Sequence, residues 1–348
     1  MSSRCWLSVA ALSLLVSHYS QASDFATAVD AFKQYYQTHL GHPQRCMQQD
    51  LNTTRVCSLV LRNEGNAPYI LHHQRTTDAV IVLFHGLSDS PFYFRSVAAA
   101  LHQQGYNVVV ALLPGHGLRD ADADMQDPEL ETRWRDSVAE IINLSRGLGR
   151  LHFVGGFSAG GALATEYVLN NPNTVTGLLL FSAALALSNN AEQMSRIVGM
   201  QTIAKWIDGD YVSHGMNPYK YPDVSLFAAF ELMQVIRQIR SQLALANPSI
   251  PTFAAHSAAD VTTPLHGVEN FLAVNLAANT TFIVDERYEL CHGDLLLDNA
   301  QVQAMAVTAP LDEVVDFCFV PEPNPLHKHM LAMLTHFIQQ QIKLNPAE

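Results

Sequence analysis

The stretch VGGFSAGGALATEYVL (residues 154–169) surrounds one serine, Ser158, with glycines and alanines directly after an apolar run. Gly156 and Gly160 complete the pattern G-x-S-x-G, which is typical of a nucleophilic serine on a sharp turn between a strand and a helix. The pattern is short and also arises by chance. Here a strand is predicted before the serine and a helix after it, so a nucleophile is favoured over a purely structural glycine turn.

Continuous apolar runs recur on both sides of this stretch. Runs that do not alternate with polar residues predict strands buried on both faces of a parallel sheet. Helical spacing in the intervening segments predicts a doubly wound α/β domain with helices on both sides of the sheet. The predicted strands are residues 79–84, 107–113, 151–156, 176–183, 251–256 and 280–285, and the helices between them include 92–104, 128–148, 159–170 and 265–277.

One connection is too long for a simple crossover. Residues 185–247 contain no predicted strand and carry helical patterns at 192–207 and 226–246, so we expect a helical cap insertion over one end of the sheet. The predicted division of the chain is a signal peptide at 1–22, an N-terminal extension with two lead-in strands at 23–76, a core at 77–184 and 248–348, and the cap at 185–247.

The N-terminus has the pattern of a secretory signal. Arg4 supplies the positive charge, residues 6–16 form a short apolar segment, and Ser20 and Ala22 are the small residues that a signal peptidase reads. We therefore expect a mature chain that begins near Ser23 and is exported, either to the periplasm or out of the cell. The apolar segment is too short to span a bilayer, and we expect no integral membrane segment in the mature chain.

Export affects how the five cysteines are interpreted. Cys5 belongs to the signal, which leaves an even number of cysteines in an oxidising compartment. Pairing neighbours along the chain joins Cys46 to Cys57 and Cys291 to Cys318, and the other two connectivities stay open. No cysteine or histidine spacing is typical of a zinc site.

The charge of the chain restricts its partners. A formal net charge of -12 argues against nucleic acid and against an anionic membrane surface, because both are bound by clustered lysines and arginines. The partner that we expect is instead a small-molecule or lipid substrate. The sequence gives no prediction of the oligomeric state.

One acidic segment resembles a calcium-binding loop. Asp120, Asp122, Asp124 and Glu131 occupy positions 1, 3, 5 and 12 of an EF-hand-like pattern. Met125 stands where the sharp turn of such a loop needs glycine, and paired flanking helices are not evident. We interpret the segment as a solvated acidic loop and expect no metal.

A catalytic serine needs a histidine base that is oriented by a carboxylate, and on this type of sheet the chain order is serine, acid, histidine. Asp260 directly follows the predicted strand at 251–256, at the carboxyl end of the sheet where functional groups collect. It could instead cap the helix that opens near Pro264. Ser257 and Asp285 are weaker alternatives for the acid.

The base is harder to assign because the chain has sixteen histidines. His292 follows the last predicted strand by a short loop, at the end of the sheet where the serine is expected. His327, His329 and His336 lie downstream in the predicted final helix, where a histidine is more often a surface or core residue than a base. His292 is preferred, with His327 as the second choice.

Two backbone N–H groups are expected to form an oxyanion hole. The first is that of Ala159, directly after the serine. The second lies in LFHGLSDSP (residues 83–91), where Leu87 follows His85 and Gly86. His85 precedes the serine in the chain, so we expect it to shape this oxyanion loop by hydrogen bonding rather than to act as the base.

Together LFHGLSDSP, LLPGHG, GGFSAGG, SAADVTTP and CHGDLL resemble the α/β-hydrolase superfamily, and within it the carboxylesterases and monoacylglycerol-lipase-like (lysophospholipase-type) serine hydrolases. The resemblance runs from about Thr77 to the C-terminal helix and implies a cap between the sixth and seventh strands of that fold. Residues 24–75 have no counterpart in it, and the segment 299–325 is longer than usual. The functional residues that it implies are Ser158 as nucleophile, Asp260 as acid, His292 as base, and Leu87 and Ala159 as oxyanion donors.

The sequence thus predicts an exported serine hydrolase that cleaves carboxylic esters through an acyl-enzyme without any cofactor. Two alternatives stay open, namely an acyltransferase, thioesterase or amidase with the same three residues, and a non-catalytic binding protein on the same scaffold. The apolar residues of the cap are expected either to line an acyl pocket or to form the core of the cap. They are Met194, Ile197, Met200, Trp206, Phe227, Phe230 and Met233.

Overall fold

A computed structural model describes residues 24–47, 50–195, 197, 216–308 and 317–347. The predicted signal peptide at 1–22 lies outside the described residues, as do Met200 and Trp206 and most of the helix predicted at 192–207.

The strands of the described part form a large sheet and a small one. They are β1 (Pro43–Gln44), β2 (Thr53–Arg55), β3 (Cys57–Ser58), β4 (Tyr69–Leu71), β5 (Thr77–Phe84), β6 (Asn107–Ala111), β7 (Gly149–Phe157), β8 (Gly177–Phe181), β9 (Thr252–Ser257) and β10 (Asn279–Val284). The large sheet has eight strands in the order β10-β9-β8-β7-β5-β6-β4-β2, and β1 pairs with β3 alone. Strands from β10 to β6 are parallel, whereas β4 and β2 are antiparallel to their neighbours.

The six parallel strands are the six predicted apolar runs, with ends that differ by at most two residues. Their continuous apolar character follows from the two cores that the sheet separates. In β5, Val80 and Val82 pack into the core on one face, and Ile81 and Leu83 pack into the core on the other. The prediction of a mostly parallel sheet covered on both faces is confirmed.

Helices flank the sheet, and one follows Ser158 directly. They are α1 (residues 24–40), α2 (Arg95–Gln103), α3 (Asp122–Met125), α4 (Leu130–Leu144), α5 (Ala159–Asn170), α6 (Asn189–Met194), α7 (Leu226–Leu243), α8 (His266–Val274), α9 (Asn299–Met305) and α10 (His327–Leu344). The helix predicted at 92–104 is divided, because a 3-10 turn at Pro91–Phe94 precedes α2.

The long connection between β8 and β9 contains α6 and α7. One face of α7 carries apolar residues that pack into the same core as α4 and α5, among them Val235, Ile236 and Ile239. The division of residues 185–247 from the core as a cap stays a prediction. Within the stretches that the structure describes, no helix has the length and apolar character needed to cross a membrane.

The N-terminal extension packs against the sheet rather than extending from it. In α1, Phe32 and Tyr36 are buried. The Tyr36 hydroxyl donates to the Leu112 carbonyl at 3.1 Å and accepts from the Leu112 amide at 2.9 Å, at the end of β6. The apolar residues of the extension predict lead-in strands at 55–61 and 68–71. In the structure the antiparallel pair is β2 with β4, so the first of these strands is displaced to Thr53–Arg55.

Candidate active site

Ser158 occupies the turn between β7 and α5 with φ 53° and ψ −119°. A non-glycine residue in such a conformation costs on the order of 1–3 kcal/mol, and it persists only where its surroundings enforce it. Here the Ser158 amide donates to the Phe181 carbonyl at 3.0 Å. Its own carbonyl accepts from the amides of Ala162 and Ala184, at 3.1 and 2.9 Å. Three backbone hydrogen bonds therefore fix the turn.

The glycines beside the serine allow close approach of α5 to the sheet. A Cβ atom on Gly160 would collide with the carbonyl oxygens of Phe84 and His85 at the end of β5, and one on Gly156 would collide with the backbone of Gly160. Neither glycine has room for a side chain. The sequence pattern therefore has a steric cause at both positions.

The structure brings Ser158, His292 and Asp260 together from three distant stretches of the chain. Ser158 Oγ lies 2.9 Å from His292 Nε2, and His292 Nδ1 lies 2.6 Å from Asp260 Oδ2. Because an ionised carboxylate only accepts hydrogen bonds, Nδ1 carries the ring proton and Nε2 is left to accept from the serine hydroxyl. The Phe157 ring stacks on the His292 ring at 4.7 Å between centres and holds its orientation.

Asp260 is 5% exposed and ionised. Burial by itself would raise its pKa, but the charge and hydrogen bond of His292 and the amide of Thr263 outweigh burial and lower the pKa to about 2. Its Oδ1 accepts from the amides of Thr262 and Thr263, both at 2.9 Å. Asp260 therefore does not cap the helix that begins at His266, whose N-cap is Leu265. One of its oxygens closes the local turn and the other faces the histidine.

Thr263 is a site residue that the sequence analysis missed. Its Oγ1 lies 2.9 Å from Asp260 Oδ2, 3.1 Å from His292 Nδ1 and 3.1 Å from the Ser182 carbonyl oxygen. His256 donates from Nε2 to the Thr263 carbonyl at 2.7 Å, which fixes the backbone at this residue. The only sequence signal was the position of Thr263 three residues after the acid.

The two weaker candidates for the acid have other partners. The Ser257 hydroxyl donates to the Leu290 carbonyl at 2.8 Å and so supports the loop before His292. Asp285 is exposed and accepts from the Arg287 amide at 3.1 Å, at the start of a 3-10 turn. Neither side chain is hydrogen-bonded to His292 within the described residues.

His327, the second choice for the base, lies in a different environment. Its Nε2 is 3.0 Å from Ser96 Oγ and 3.1 Å from the Leu296 carbonyl oxygen. Burial lowers its pKa, although the charge of Asp298 partly opposes this. His329, in the same helix as His327, packs edge-on against Phe282 of β10. These contacts give His327 a structural role away from the serine.

The predicted oxyanion loop, residues 83–91, lies at the carboxyl end of β5. Within the described stretches, neither the Leu87 amide nor the Ala159 amide donates a hydrogen bond to another protein atom. His85 Nδ1 donates to the Gly86 carbonyl at 2.8 Å, and His85 Nε2 accepts from the Leu113 amide at 3.1 Å. Burial, followed by the nearby His116, holds the pKa of His85 well below its usual value, so the ring is neutral.

Both disulfides pair neighbours along the chain. Cys46 is bonded to Cys57 and Cys291 to Cys318, with Cα atoms 5.5 and 5.7 Å apart. Glu64 lies beside the first pair, but bonded sulfurs provide no thiolate ligand for a metal.

The sequence analysis interpreted the acidic segment as a solvated loop, but several of its carboxylates form ion pairs. Asp124 pairs with Arg133 at 2.6 Å, and Asp127 pairs with the same guanidinium at 2.7 Å. Glu131 pairs with Arg135 at 2.6 Å. These carboxylates are neutralised by arginines of α4 because the helix starts within the segment and brings both side chains back to it.

A cavity of about 1290 Å³ opens onto Ser158 and His292. Its apolar wall comes largely from the connection between β8 and β9. The sequence left open whether the apolar residues named there line the cavity or form a core, and those that the structure describes do not line it. Phe227, Phe230 and Met233 are buried within the protein, and Ile197 is exposed. The face of α7 one residue earlier lines the cavity, together with the start of the connection. Apolar residues of this connection that line the cavity include Leu187, Ala191, Val224, Leu226, Ala229 and Leu232.

Another part of the cavity wall is polar. Lys220 Nζ lies 3.2 Å from Asp89 Oδ1 and 5.9 Å from the centre of the Tyr93 ring. Asp294, two residues after the candidate base, also lines the cavity. Burial raises the pKa of Asp294 to about 7, with an added contribution from the charge of Glu322, while Lys220 opposes the shift.

A family model described as serine aminopeptidase, S33 (Hydrolase_4) matches residues 75–289, more than half of the chain. The chain belongs to this family. It is therefore an α/β hydrolase, as the resemblance of its motifs implied. The match to the family model ends at residue 289, just before His292, and most of the N-terminal extension lies before its start at residue 75.

Individual relatives of this α/β hydrolase are distant. It is 25% identical over 169 residues to the thermostable monoacylglycerol lipase of Bacillus sp. (strain H-257), and the match covers 47% of this chain and 64% of that enzyme. The metagenome-derived lipolytic enzymes LipS and LipT give a structural match with a TM-score of 0.52 and 20% identity, which covers 66% of this chain and 91% of the other. Paleococcus ferrophilus monoacylglycerol lipase matches with a TM-score of 0.51 and 15% identity over 76% and 96%. At such identities the structural matches show the fold alone.

Proposed function

We propose that this α/β hydrolase is a serine hydrolase that cleaves carboxylic esters, with Ser158 as nucleophile, His292 as base and Asp260 as acid. The observation that carries the proposal is the continuous hydrogen-bond chain from Ser158 Oγ through His292 to Asp260, at 2.9 and 2.6 Å, on the floor of a large and partly apolar cavity. Such a chain activates a hydroxyl that is otherwise a poor nucleophile.

The reaction follows from the proton positions. His292 Nε2 removes the proton of Ser158 as its oxygen attacks the ester carbonyl, and Asp260 stabilises the imidazolium that forms. The Leu87 and Ala159 amides donate to the developing oxyanion. His292 then returns its proton to the leaving alcohol, and water, deprotonated by the same nitrogen, releases the acid. Each step uses side chains and amides of the chain and needs no cofactor.

The cavity supports a substrate with two chemically different ends. The cap residues Leu226, Ala229 and Leu232 offer an apolar wall suited to an acyl chain. Lys220 and Asp89 offer a donor and an acceptor suited to a polar alcohol. The similarity to a monoacylglycerol lipase supports the same class of ester as the substrate. Because the match covers 64% of that enzyme, the activity of the whole protein is part of this proposal.

An amide substrate is the second candidate. It is favoured by the description of the family model, which is that of an aminopeptidase, and an acyl-enzyme on Ser158 would form from an amide as well as from an ester. Transfer of the acyl group to an acceptor other than water uses the same intermediate. Substrates that share one acyl group and differ only in an ester, thioester or amide bond separate these activities.

We also propose that the protein is exported. The support is the signal pattern at residues 1–22 and the two disulfides, which are typical of proteins in oxidising compartments. Fractionation of cells that express the full chain, with the N-terminal sequence of the product determined, tests both the location and the predicted start near Ser23.

A fluorophosphonate probe followed by mass spectrometry tests the catalytic proposal. We expect covalent labelling of Ser158 in the wild type, none in Ser158→Ala, and normal labelling in Ser241→Ala, an exposed serine of α7. Hydrolysis of p-nitrophenyl esters of increasing chain length should disappear in Ser158→Ala and persist in Ser241→Ala. Equal labelling of wild type and Ser158→Ala would refute the proposal.

A further inference from the structure

The turn that carries His292 is joined covalently to a later part of the chain. Cys291, the residue directly before His292, is bonded to Cys318 in a short 3-10 turn. Both cysteines line the cavity together with Phe319 and Pro321. The bridge therefore connects the backbone of the candidate base to a wall of the substrate cavity.

The remaining supports of the histidine turn come from two sides. Toward the sheet, Ser257 donates to the Leu290 carbonyl at 2.8 Å. Toward the later segment, Asn324 donates to the carbonyls of Leu295 and Leu297, from its side chain at 2.9 Å and from its amide at 3.0 Å. These hydrogen bonds hold the backbone before and after the turn, but the bridge is the support attached at the residue next to His292.

The two disulfides differ in accessibility. Cys46 and Cys57 are 4% and 7% exposed, so both ends of the first bridge are buried. In the second bridge Cys291 is 8% exposed, whereas Cys318 is exposed at the surface. Because thiol–disulfide exchange needs access of a thiolate to a sulfur, exposed bridges are the labile ones.

We propose that the Cys291–Cys318 disulfide positions His292 for catalysis, and that its selective reduction turns the folded enzyme into a form of low activity. This inference rests on the proposed function, because it assumes that His292 is the base. Cys291 and Cys318 are positioning residues, and neither contacts the reacting atoms.

The chemistry needs a dithiol as reductant. One thiolate of the dithiol attacks the exposed Cys318 sulfur, the bond between the two cysteine sulfurs breaks, and Cys291 leaves as a thiolate that takes up a proton. The second thiol of the reagent then displaces Cys318 and closes the reagent's own disulfide. The protein gains two electrons and two protons, and the reagent loses the same number.

Loss of the bridge should affect turnover more than substrate binding. A displacement of a catalytic group by about 1 Å can lower the rate by about 100-fold, whereas the apolar wall contributed by α7 does not depend on the bridge. We therefore expect kcat to fall about tenfold or more with a smaller change in KM. The rate of fluorophosphonate labelling should fall with kcat, because the same base activates Ser158.

Paired variants separate positioning from general stability. The double variant Cys291→Ser/Cys318→Ser removes the bridge next to the histidine, and Cys46→Ser/Cys57→Ser removes the buried bridge as a matched control. We expect the fall in kcat and in labelling rate only in the first, measured at a temperature where both variants are folded by circular dichroism. An equal fall in both variants, or none in the first, would overturn the proposal.

Mild reduction of the wild type covers the case in which a variant does not fold. The folded enzyme is treated with dithiothreitol, free thiols are alkylated and identified by mass spectrometry, and ester hydrolysis is followed. We expect alkylation of Cys291 and Cys318 before Cys46 and Cys57, with activity falling in step and returning on reoxidation. Full activity with the second bridge open contradicts the inference alone, whereas a fully oxidised wild type that neither labels nor hydrolyses esters contradicts the proposed function as well.

Discussion

Thr263 Oγ1 lies 2.9 Å from Asp260 Oδ2, the same carboxylate oxygen that His292 contacts at 2.6 Å. The threonine thus adds a donor beside the histidine and limits the rotation of the buried carboxylate. A hydrogen bond to a charged group is worth about 1.5–3 kcal/mol. The threonine therefore belongs to the candidate site although it is not one of the three residues predicted to be catalytic.

Replacing Thr263 tests that role. We expect Thr263→Val, which keeps the shape and removes the hydroxyl, to lower kcat by about 10- to 100-fold with little change in KM. Thr263→Ser restores the hydroxyl and should recover most of the activity, as measured on a p-nitrophenyl ester. A Thr263→Val enzyme with wild-type kcat would show that the carboxylate is positioned without this residue.

The two histidines considered as the base give opposite predictions. We expect His292→Ala to lower kcat by about 10⁴-fold or more, as loss of a catalytic base does in other serine hydrolases. His327→Ala should keep kcat near the wild-type value and lower the free energy of unfolding by about 1–3 kcal/mol, because it removes a buried imidazole that lies 3.1 Å from the Leu296 carbonyl oxygen. Steady-state kinetics and urea unfolding of both variants distinguish the roles, and loss of turnover in His327→Ala would reverse the assignment.

The close packing of α5 on the sheet makes Gly160 intolerant of a side chain. A Cβ atom there meets the carbonyl oxygens of Phe84 and His85, which cannot move without distorting β5. We expect Gly160→Ala to lose about 1–3 kcal/mol of stability or more in thermal or urea unfolding. Gly293→Ala is the control, because no atom lies within 4 Å of its Cβ position, and its stability should change by only about 0.5 kcal/mol.

The cap wall should set the length of the acyl chain. Ala229 lines the cavity on α7, so Ala229→Trp fills part of the cavity that Ser158 also lines. We expect kcat/KM for long-chain p-nitrophenyl esters to fall about tenfold or more, with a small effect on acetate and butyrate esters. Gln234→Trp, on the exposed face of the same helix, should leave the chain-length profile unchanged. An unchanged profile in Ala229→Trp would place the acyl chain elsewhere.

The raised pKa of Asp294 leads us to expect that the free energy of unfolding falls as the pH rises. Its pKa is raised from 3.8 to about 7 in the folded protein, so over this interval the folded state holds a proton that the unfolded state releases. Stability therefore falls as the pH rises through the interval and levels off above it. We expect Asp294→Asn to remove this contribution, which is on the order of a few kcal/mol, so that the loss of unfolding free energy between about pH 4 and pH 8 is smaller than in the wild type.

Urea unfolding at the two pH values measures the Asp294 effect. The exposed Asp78 provides the control, because Asp78→Asn removes a carboxylate of the same type at the surface. The wild type and Asp78→Asn should lose stability to the same extent. If Asp294→Asn loses as much, the buried carboxyl is not protonated at neutral pH.

The parallel strands and the serine turn could be predicted because their causes are local. Continuous apolar runs follow directly from burial on both faces, and the glycines around Ser158 follow from the closeness of Gly160 to the end of β5. The positions of Asp260 and His292 followed from the chain order of the family and the ends of the strands. Their distances from Ser158 could not be predicted, because they depend on how separate strands align in the sheet.

Two parts of the site needed the structure. The apolar pattern of α7 does not tell which of its faces meets the cavity and which is buried in the protein. Phe227, Phe230 and Met233 take the buried role, which was one of the two considered. Thr263 was missed because a threonine hydroxyl is common in loops and its significance comes only from proximity to Asp260. In both cases the deciding information is the orientation of a side chain.

The contact of Tyr36 with Leu112 has a consequence for the order in which the chain folds. α1 is synthesised before the residues that it contacts, because Leu112 lies 76 positions after Tyr36 and Gly147, which meets the start of the helix at Asp24, comes later still. Most of the stability of a helix in a protein comes from the packing of its apolar face and not from the helix alone. α1 thus docks only after β6 and the turn that contains Gly147 have been synthesised.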